Sequence, residues 1–148
     1  MEIRKVYTIG FAKRSAEEFF EAIKKAGIRQ LLDIRLNNSS QLAGFTKRDD
    51  LRYFLKAICG VSYKHELLLA PTQEILDAYK KSHGSWFNYE KAFFTLMITR
   101  QVEIKLRRGI FDSPTVLLCS ERTAERCHRR LVLEYLQSKL GGIEIVHI

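Results

Sequence analysis

Five short runs rich in β-branched and aliphatic residues, at 6–9, 30–34, 61–64, 115–119 and 143–148, alternate with longer stretches of helical periodicity. A strand followed by a helix-length crossover and another strand implies parallel pairing, because a two-residue hairpin cannot connect strands running in the same direction. Crossovers of this kind are right-handed and cover the sheet with helices. The pattern predicts an α/β fold: one doubly wound domain over residues 1–148, with a mostly parallel five-stranded sheet and helices on both faces. Neither internal repeat nor linker is visible along the chain.

Punctuation between the runs supports this division. Gly10 ends the first run, and Ser15 with Glu18 has capping-box spacing ahead of an apolar face at Phe19, Phe20 and Ile23, closed by Gly27. Thr46 is placed to cap a helix bearing Leu51, Phe54, Leu55 and Ile58, which Gly60 stops. The stretch 35–47 between them has no periodicity and reads as the longest loop. A helix is expected over Thr72–Lys81, a long one from Asn88 to Arg108 ending at Gly109, and a last one capped by Thr123 and running to Leu140.

The chain has 148 residues, of which 46% are hydrophobic, enough for one core. Its 25 Lys and Arg against 17 Asp and Glu leave a formal charge of +8, which favours an anionic partner: a nucleotide, nucleic acid or other phosphorylated molecule. A solubilising surface charge is the plain alternative. Without an apolar run of membrane-spanning length or a secretory leader pattern at its start, the chain is expected in the cytoplasm and away from membranes. The three cysteines, Cys59, Cys119 and Cys127, form no disulfide framework and are expected as free thiols.

Ligands of open parallel sheets bind beyond the carboxyl ends of the strands. That rule directs attention to Gly10, Phe11, Lys13, Arg14 and Ser15 after the first strand, where helix N–H groups and two cations can hold an anion. Neither the dinucleotide fingerprint nor a P-loop is present, so an ordinary capped helix is the competing explanation. Asp33 and Arg35 lie two apart at the end of the second strand, as a substrate grip or as a structural ion pair. His65 closes the third strand.

Cys119 and Glu121 end the fourth strand, where a thiol beside helix N–H groups becomes a candidate nucleophile, although a Cys there is also an ordinary small core residue. The phosphatase-like spacing of Cys, five residues and Arg fails, because position 125 is Glu and Arg126 is one place too far. His128, expected about a turn into the last helix, can act as proton carrier, with Arg126 and Arg129 gripping an anion. No metal and no cofactor are expected, since C-x-x-C and H-x-x-x-H pairs are missing and neighbours on a helix such as Cys127 and His128 diverge by about 100°.

Taken together, Thr8-Ile9-Gly10-Phe11, Asp33-Ile34-Arg35, Tyr63 with His65, Leu69-Ala70-Pro71-Thr72, Leu117-Leu118-Cys119-Ser120-Glu121, Cys127-His128-Arg129-Arg130 and Val146-His147-Ile148 resemble the family called domain of unknown function 488. The resemblance runs in order over nearly the whole chain. It implies an α/β protein and marks Gly10, Asp33, Arg35, His65, Cys119, Glu121, Cys127, His128 and Arg129 as motif positions, without implying a reaction. Phe11 departs from the pattern, because many members carry His there.

The expectation from these readings is an enzyme or enzyme-like binder acting on a nucleotide or nucleic-acid component. Asp33 or Glu121 would be its acid or base. A non-catalytic nucleic-acid-binding protein and a thiol-dependent sensor are the alternatives.

Overall fold

Residues 2–39, 44–121 and 123–148 are described by a computed structural model. The five apolar runs become β1 (Arg4–Gly10), β2 (Gln30–Asp33), β3 (Ser62–His65), β4 (Thr115–Cys119) and β5 (Ile143–His147). They form one sheet in the order β3-β2-β4-β1-β5, and every pairing is parallel. β4 is buried along its whole length, which explains why its sequence shows no polar alternation.

The connections are α1 (Ala16–Lys25), α2 (Arg48–Phe54), α3 (Gln73–Lys80), α4 (Trp86–Arg100), α5 (Val102–Lys105) and α6 (His128–Leu140). Phe19, Phe20 and Ile23 of α1 and Leu51 of α2 pack on one face of the sheet against Ile9, Leu31, Val116 and Leu118. On the other face, Phe93 and Met97 of α4, Val102 of α5 and Leu131, Val132 and Leu136 of α6 pack against Val6, Leu32 and Leu117. The helices after β1 and β2 therefore lie opposite the helix after β4. The neighbouring strands β2 and β1 flank β4, so its carboxyl end sits where the winding changes side, the usual place for a ligand crevice.

Local signals agree with the structure at α1, where Ser15 Oγ accepts from the Glu18 backbone N–H at 3.1 Å, and at α3, where Thr72 caps Ile75. They mislead at three places. Thr46 is not a helix cap: it lies buried in a short 3₁₀ turn (Gly44–Thr46), and α2 begins only at Arg48. The helical stretch then widens into a π-turn at Leu55–Cys59 before Gly60 takes the left-handed conformation, with φ 67°.

The long helix expected over 88–108 is two helices, because Gln101 adopts φ 54° and ψ 48° and redirects the chain. Thr123 does not start the last helix either. α6 begins at His128 after a loop, and Cys127, with φ −139° and ψ 140°, is the extended residue at its N-cap position. Residues 40–43 of the loop expected at 35–47, and Arg122 of the turn after Cys119, lie outside the described residues.

Candidate functional site at the end of β4

A cavity of about 360 Å³ opens beyond the carboxyl ends of β2 and β4. Cys119, Ser120, Glu121, Arg126, Cys127 and His128 line one side, contributed by the end of β4, the following loop and the start of α6. Arg35 and Asn37 enter from the loop after β2. Leu76, Tyr79, Lys80 and Lys81 of the α3 region and Trp86 and Tyr89 of α4 close the opposite wall.

Alternation along the strands decides which sequence candidates reach this cavity. In β4, Val116 and Leu118 face α1 and α2, so Cys119 faces α6. In β2, Leu31 faces α1 and α2, which puts Asp33 on that side as well, beside Tyr63 of β3. Asp33 and Cys119 therefore project from opposite faces of the sheet, although both end core strands.

The Asp33 carboxylate is fully buried and surrounded by donors. Arg35 Nε and one terminal nitrogen each approach a different oxygen at 2.8 Å, a bidentate pair, and the Tyr63 hydroxyl donates to Oδ2 at 2.6 Å. Arg35 also donates to the Thr46 carbonyl at 2.7 Å, while its guanidinium lies 5.4 Å from the Phe11 ring centroid. Burial, then the hydrogen bond to Asp33, pushes the Tyr63 phenol well above its ordinary range. His65 Nε2 donates to the Arg35 carbonyl at 2.7 Å and so fastens the same loop from β3; it does not line the cavity.

Cys119 is the centre of the opposite arrangement. Its Sγ lies 3.2 Å from Nδ1 of His128 and 3.9 Å from Nε2, beside the ring. Nε2 is 2.7 Å from the Ile34 carbonyl oxygen. A carbonyl only accepts, so Nε2 carries the proton and Nδ1 is the nitrogen left to accept from, or bind to, a neighbour. Burial alone would raise the Cys119 thiol. Hydrogen bonds from Cys127 and the backbone N–H groups of Ser120 and Glu121, together with the nearby Arg129 charge, bring it net below its usual value. Burial, then the hydrogen bond with Cys119, pushes the Cys127 thiol well up.

The anion-binding candidates divide. Arg126 is exposed at the cavity rim, whereas Arg129 is buried and donates to the Glu121 carbonyl at 2.9 Å. Gly10, the register partner of Cys119, lies beneath that same carbonyl and Arg129. Lys13, Arg14 and Ser15 do not line the cavity; Arg14 donates to the Ile148 carbonyl at 2.6 Å and Ser15 caps its own helix. The Glu121 side chain is exposed and lies 3.9 Å from Lys80.

Sequence reasoning missed Lys80, Lys81, Tyr79, Trp86 and Tyr89 as cavity residues. In the structure, Trp86 stacks on Tyr89 at 4.9 Å between centroids, Tyr89 on Phe93 at 6.1 Å, and Phe93 leans on His128 at 5.5 Å. Trp86, Tyr89 and Phe93 recur at i, i+3 and i+7, a helical spacing, and that was the available signal. The expectation that Cys127 and His128 diverge around a helix also fails, because Cys127 precedes α6 in extended conformation. Among the described residues Cys119 Sγ, Cys127 Sγ and a His128 ring nitrogen lie within 4.8 Å of one another.

Fold and cavity together define an all-parallel α/β protein with a strand-end pocket built around a thiol and an imidazole. The chain belongs to the family described as "Domain of unknown function DUF488", whose model matches residues 15–136. No curated protein and no solved structure matches it. Among the described residues no helix is long and apolar enough to cross a membrane.

Proposed function

We propose that this protein is an enzyme or enzyme-like binder for a small anionic molecule carrying a planar ring, of the nucleotide class, held in the cavity at the end of β4. One observation carries the reading: a cationic rim and an aromatic wall converge on a single cavity floored by Cys119 and His128. Lys80, Lys81 and Arg126 line it against the carboxylates Asp77 and Glu121, while the charge of Arg35, which also lines it, is matched by Asp33. The surplus of cations suits phosphate or carboxylate, with Arg126 as an exposed fork for two oxygens. Trp86 and Tyr79 offer partly exposed faces for a ring. The volume falls within the range of small-molecule sites.

In this reading Asp33 holds Arg35 at the cavity edge and exchanges no proton with substrate, since its oxygens are engaged by Arg35 and Tyr63. The reactive atoms offered to a ligand belong to Cys119, Cys127 and His128.

Thermal shift and calorimetry with nucleoside mono- and diphosphates, the parent nucleosides and inorganic phosphate test this. Mononucleotides should raise the melting temperature, with Arg126→Ala and Trp86→Ala each weakening binding about tenfold. If mononucleotides leave melting unchanged while long oligonucleotides bind with a steep salt dependence, a backbone-tracking nucleic-acid protein replaces this reading.

A further inference from the structure

The cavity floor carries more ligand atoms than general acid-base work needs. Two thiols and an imidazole, from the end of β4, the N-cap position of α6 and its first residue, present sulfur and nitrogen within 4.8 Å of one another. All three side chains are buried, and all three line the cavity. We propose that Cys119, Cys127 and His128 form a three-ligand site for a zinc-class metal ion whose fourth position opens into the cavity.

Three observations carry the assignment. The donor set is right: two cysteine sulfurs and one histidine nitrogen are ligands that a borderline-soft, tetrahedral ion prefers, and three protein ligands with an open position mark a reactive site where four would mark a structural one. The histidine is prepared: its Nε2 is spent on the Ile34 carbonyl at 2.7 Å, the outer-shell contact that typically fixes a metal-binding imidazole and leaves Nδ1 for the ion. The spacing is close. Bond lengths of about 2.3 Å to sulfur and 2.0–2.1 Å to nitrogen place neighbouring tetrahedral ligand atoms roughly 3.5–3.8 Å apart. The Cys119 Sγ–His128 Nδ1 separation is 3.2 Å. Accommodating the ion requires those atoms to part by a few tenths of an ångström. It also requires the ring to turn about its Nε2 anchor, so that the Nδ1 lone pair points between the sulfurs.

The backbone explains how adjacent residues supply two ligands. Within a helix, Cys127 and His128 would point about 100° apart. With Cys127 extended and His128 helical, the chain turns between them and both side chains reach the end of β4. On the cavity side, the fourth position faces the rim to which we assign the anionic ligand. An oxygen of that ligand, or water, would complete the tetrahedron. This last point alone rests on the proposed function; the three-ligand site does not.

Metal-free, fully reduced protein titrated with Zn²⁺ and, separately, with Co²⁺ tests the assignment. One equivalent should bind. Cobalt should give sulfur-to-metal charge-transfer absorption together with tetrahedral visible bands, and zinc should protect two of the three thiols from an aromatic disulfide reagent. Cys59→Ser should leave uptake unchanged, while Cys127→Ser and His128→Asn should weaken it by roughly 100-fold or more, beyond the loss typical of outer-shell residues. Because the buried variants can unfold, the thiol-protection count on the unaltered protein stands independently. Protection of no thiol, or metal binding indifferent to both variants, overturns the proposal. So does a Cys119–Cys127 disulfide that forms equally with and without zinc. Metal uptake without any nucleotide effect on melting would remove the nucleotide reading and keep the site; nucleotide binding without metal uptake would do the reverse.

Discussion

Gly10 lies so close beneath the Glu121 backbone that a Cβ built on it would stand 1.4 Å from the Glu121 carbonyl oxygen and 2.3 Å from an Arg129 guanidinium nitrogen. The glycine at the end of β1 is thus what lets the loop after β4 fold down over the sheet. Two hydrogen bonds hold it there: Ala12 N–H to the Ser120 carbonyl at 2.9 Å and Arg129 to the Glu121 carbonyl at 2.9 Å. Gly10→Ala must push that loop away, and with it the backbone N–H groups that serve Cys119. We expect a loss of about 3 kcal/mol or more in chemical denaturation, at the upper end of overpacking effects because the obstruction is backbone. Ligand or metal binding should weaken in the protein that remains folded. A change under about 0.5 kcal/mol, the range of indifferent surface substitutions, would show that the loop does not rest on β1.

Asp33 and Arg35 make the second prediction. Both are buried, and removing one partner leaves an uncompensated charge, so Asp33→Ala and Arg35→Ala should each cost about 3–5 kcal/mol. Replacing both together with apolar residues, Asp33→Leu with Arg35→Met, should cost less than the sum of the singles. Tyr63→Phe removes one hydrogen bond to the carboxylate and should cost about 1–3 kcal/mol. Urea denaturation of the four variants checks the ordering. Strict additivity would mean that the pair is not one unit.

A pH prediction follows from Tyr135, buried on α6, whose hydroxyl donates to Glu103 at 2.8 Å. That hydrogen bond, the largest influence, holds the Glu103 carboxyl below its usual value. A carboxyl depressed by folding contributes stability that is present above its unfolded value and lost as pH falls through the folded one. The phenol moves the other way, pushed up to about 12 first by burial and then by the hydrogen bond to Glu103. Its contribution is present below its unfolded value near 10 and fades as pH rises from there through about 12. The stability difference between the protein and Tyr135→Phe should therefore form a plateau at neutral pH that narrows at both acidic and alkaline ends. A difference that stays flat from acid to neutral pH would remove Glu103 as the partner.

The strand ends were legible because core runs stop at or beside residues uncommon inside a core strand: Gly10, Asp33, His65 and Ser120 mark the carboxyl edge of the sheet. This places Cys119 at a strand end, and His128 comes near it only through the helix expected after that strand. Which face each residue takes was not legible, since it depends on the register between distant strands. That is why Asp33 and Cys119 looked like neighbours and are separated by the sheet. The irregular run at 123–127 was hidden for a local reason. Thr123 followed by Ala, Glu and Arg has good helix-starting chemistry, but α6 begins only at His128, with Glu121 held over Gly10 by Arg129. The ligand character of Cys127 depends on that same irregularity. The cavity wall from Tyr79 to Tyr89 is only partly core packing: Tyr89 is buried, while Trp86 and Tyr79 are half-exposed.

Gln101 is the point where helical composition and structure part. Residues 88–108 read as one amphipathic stretch, yet the left-handed backbone at Gln101 ends α4 and restarts the chain as α5. The turn brings Val102 into the core and sets Glu103 opposite Tyr135. Left-handed backbone costs a non-glycine residue about 1–2 kcal/mol, while glycine gives back roughly 0.4–1 kcal/mol through the greater freedom of its unfolded chain. Gln101→Gly should therefore be neutral to stabilising by up to about 1 kcal/mol. Gln101→Val, whose branched Cβ resists that conformation, should destabilise by about 1–2 kcal/mol. If Val were tolerated as well as Gly in thermal denaturation, the chain would have to run through position 101 as a continuous helix. The Glu103–Tyr135 contact and the pH plateau it predicts would then be lost together.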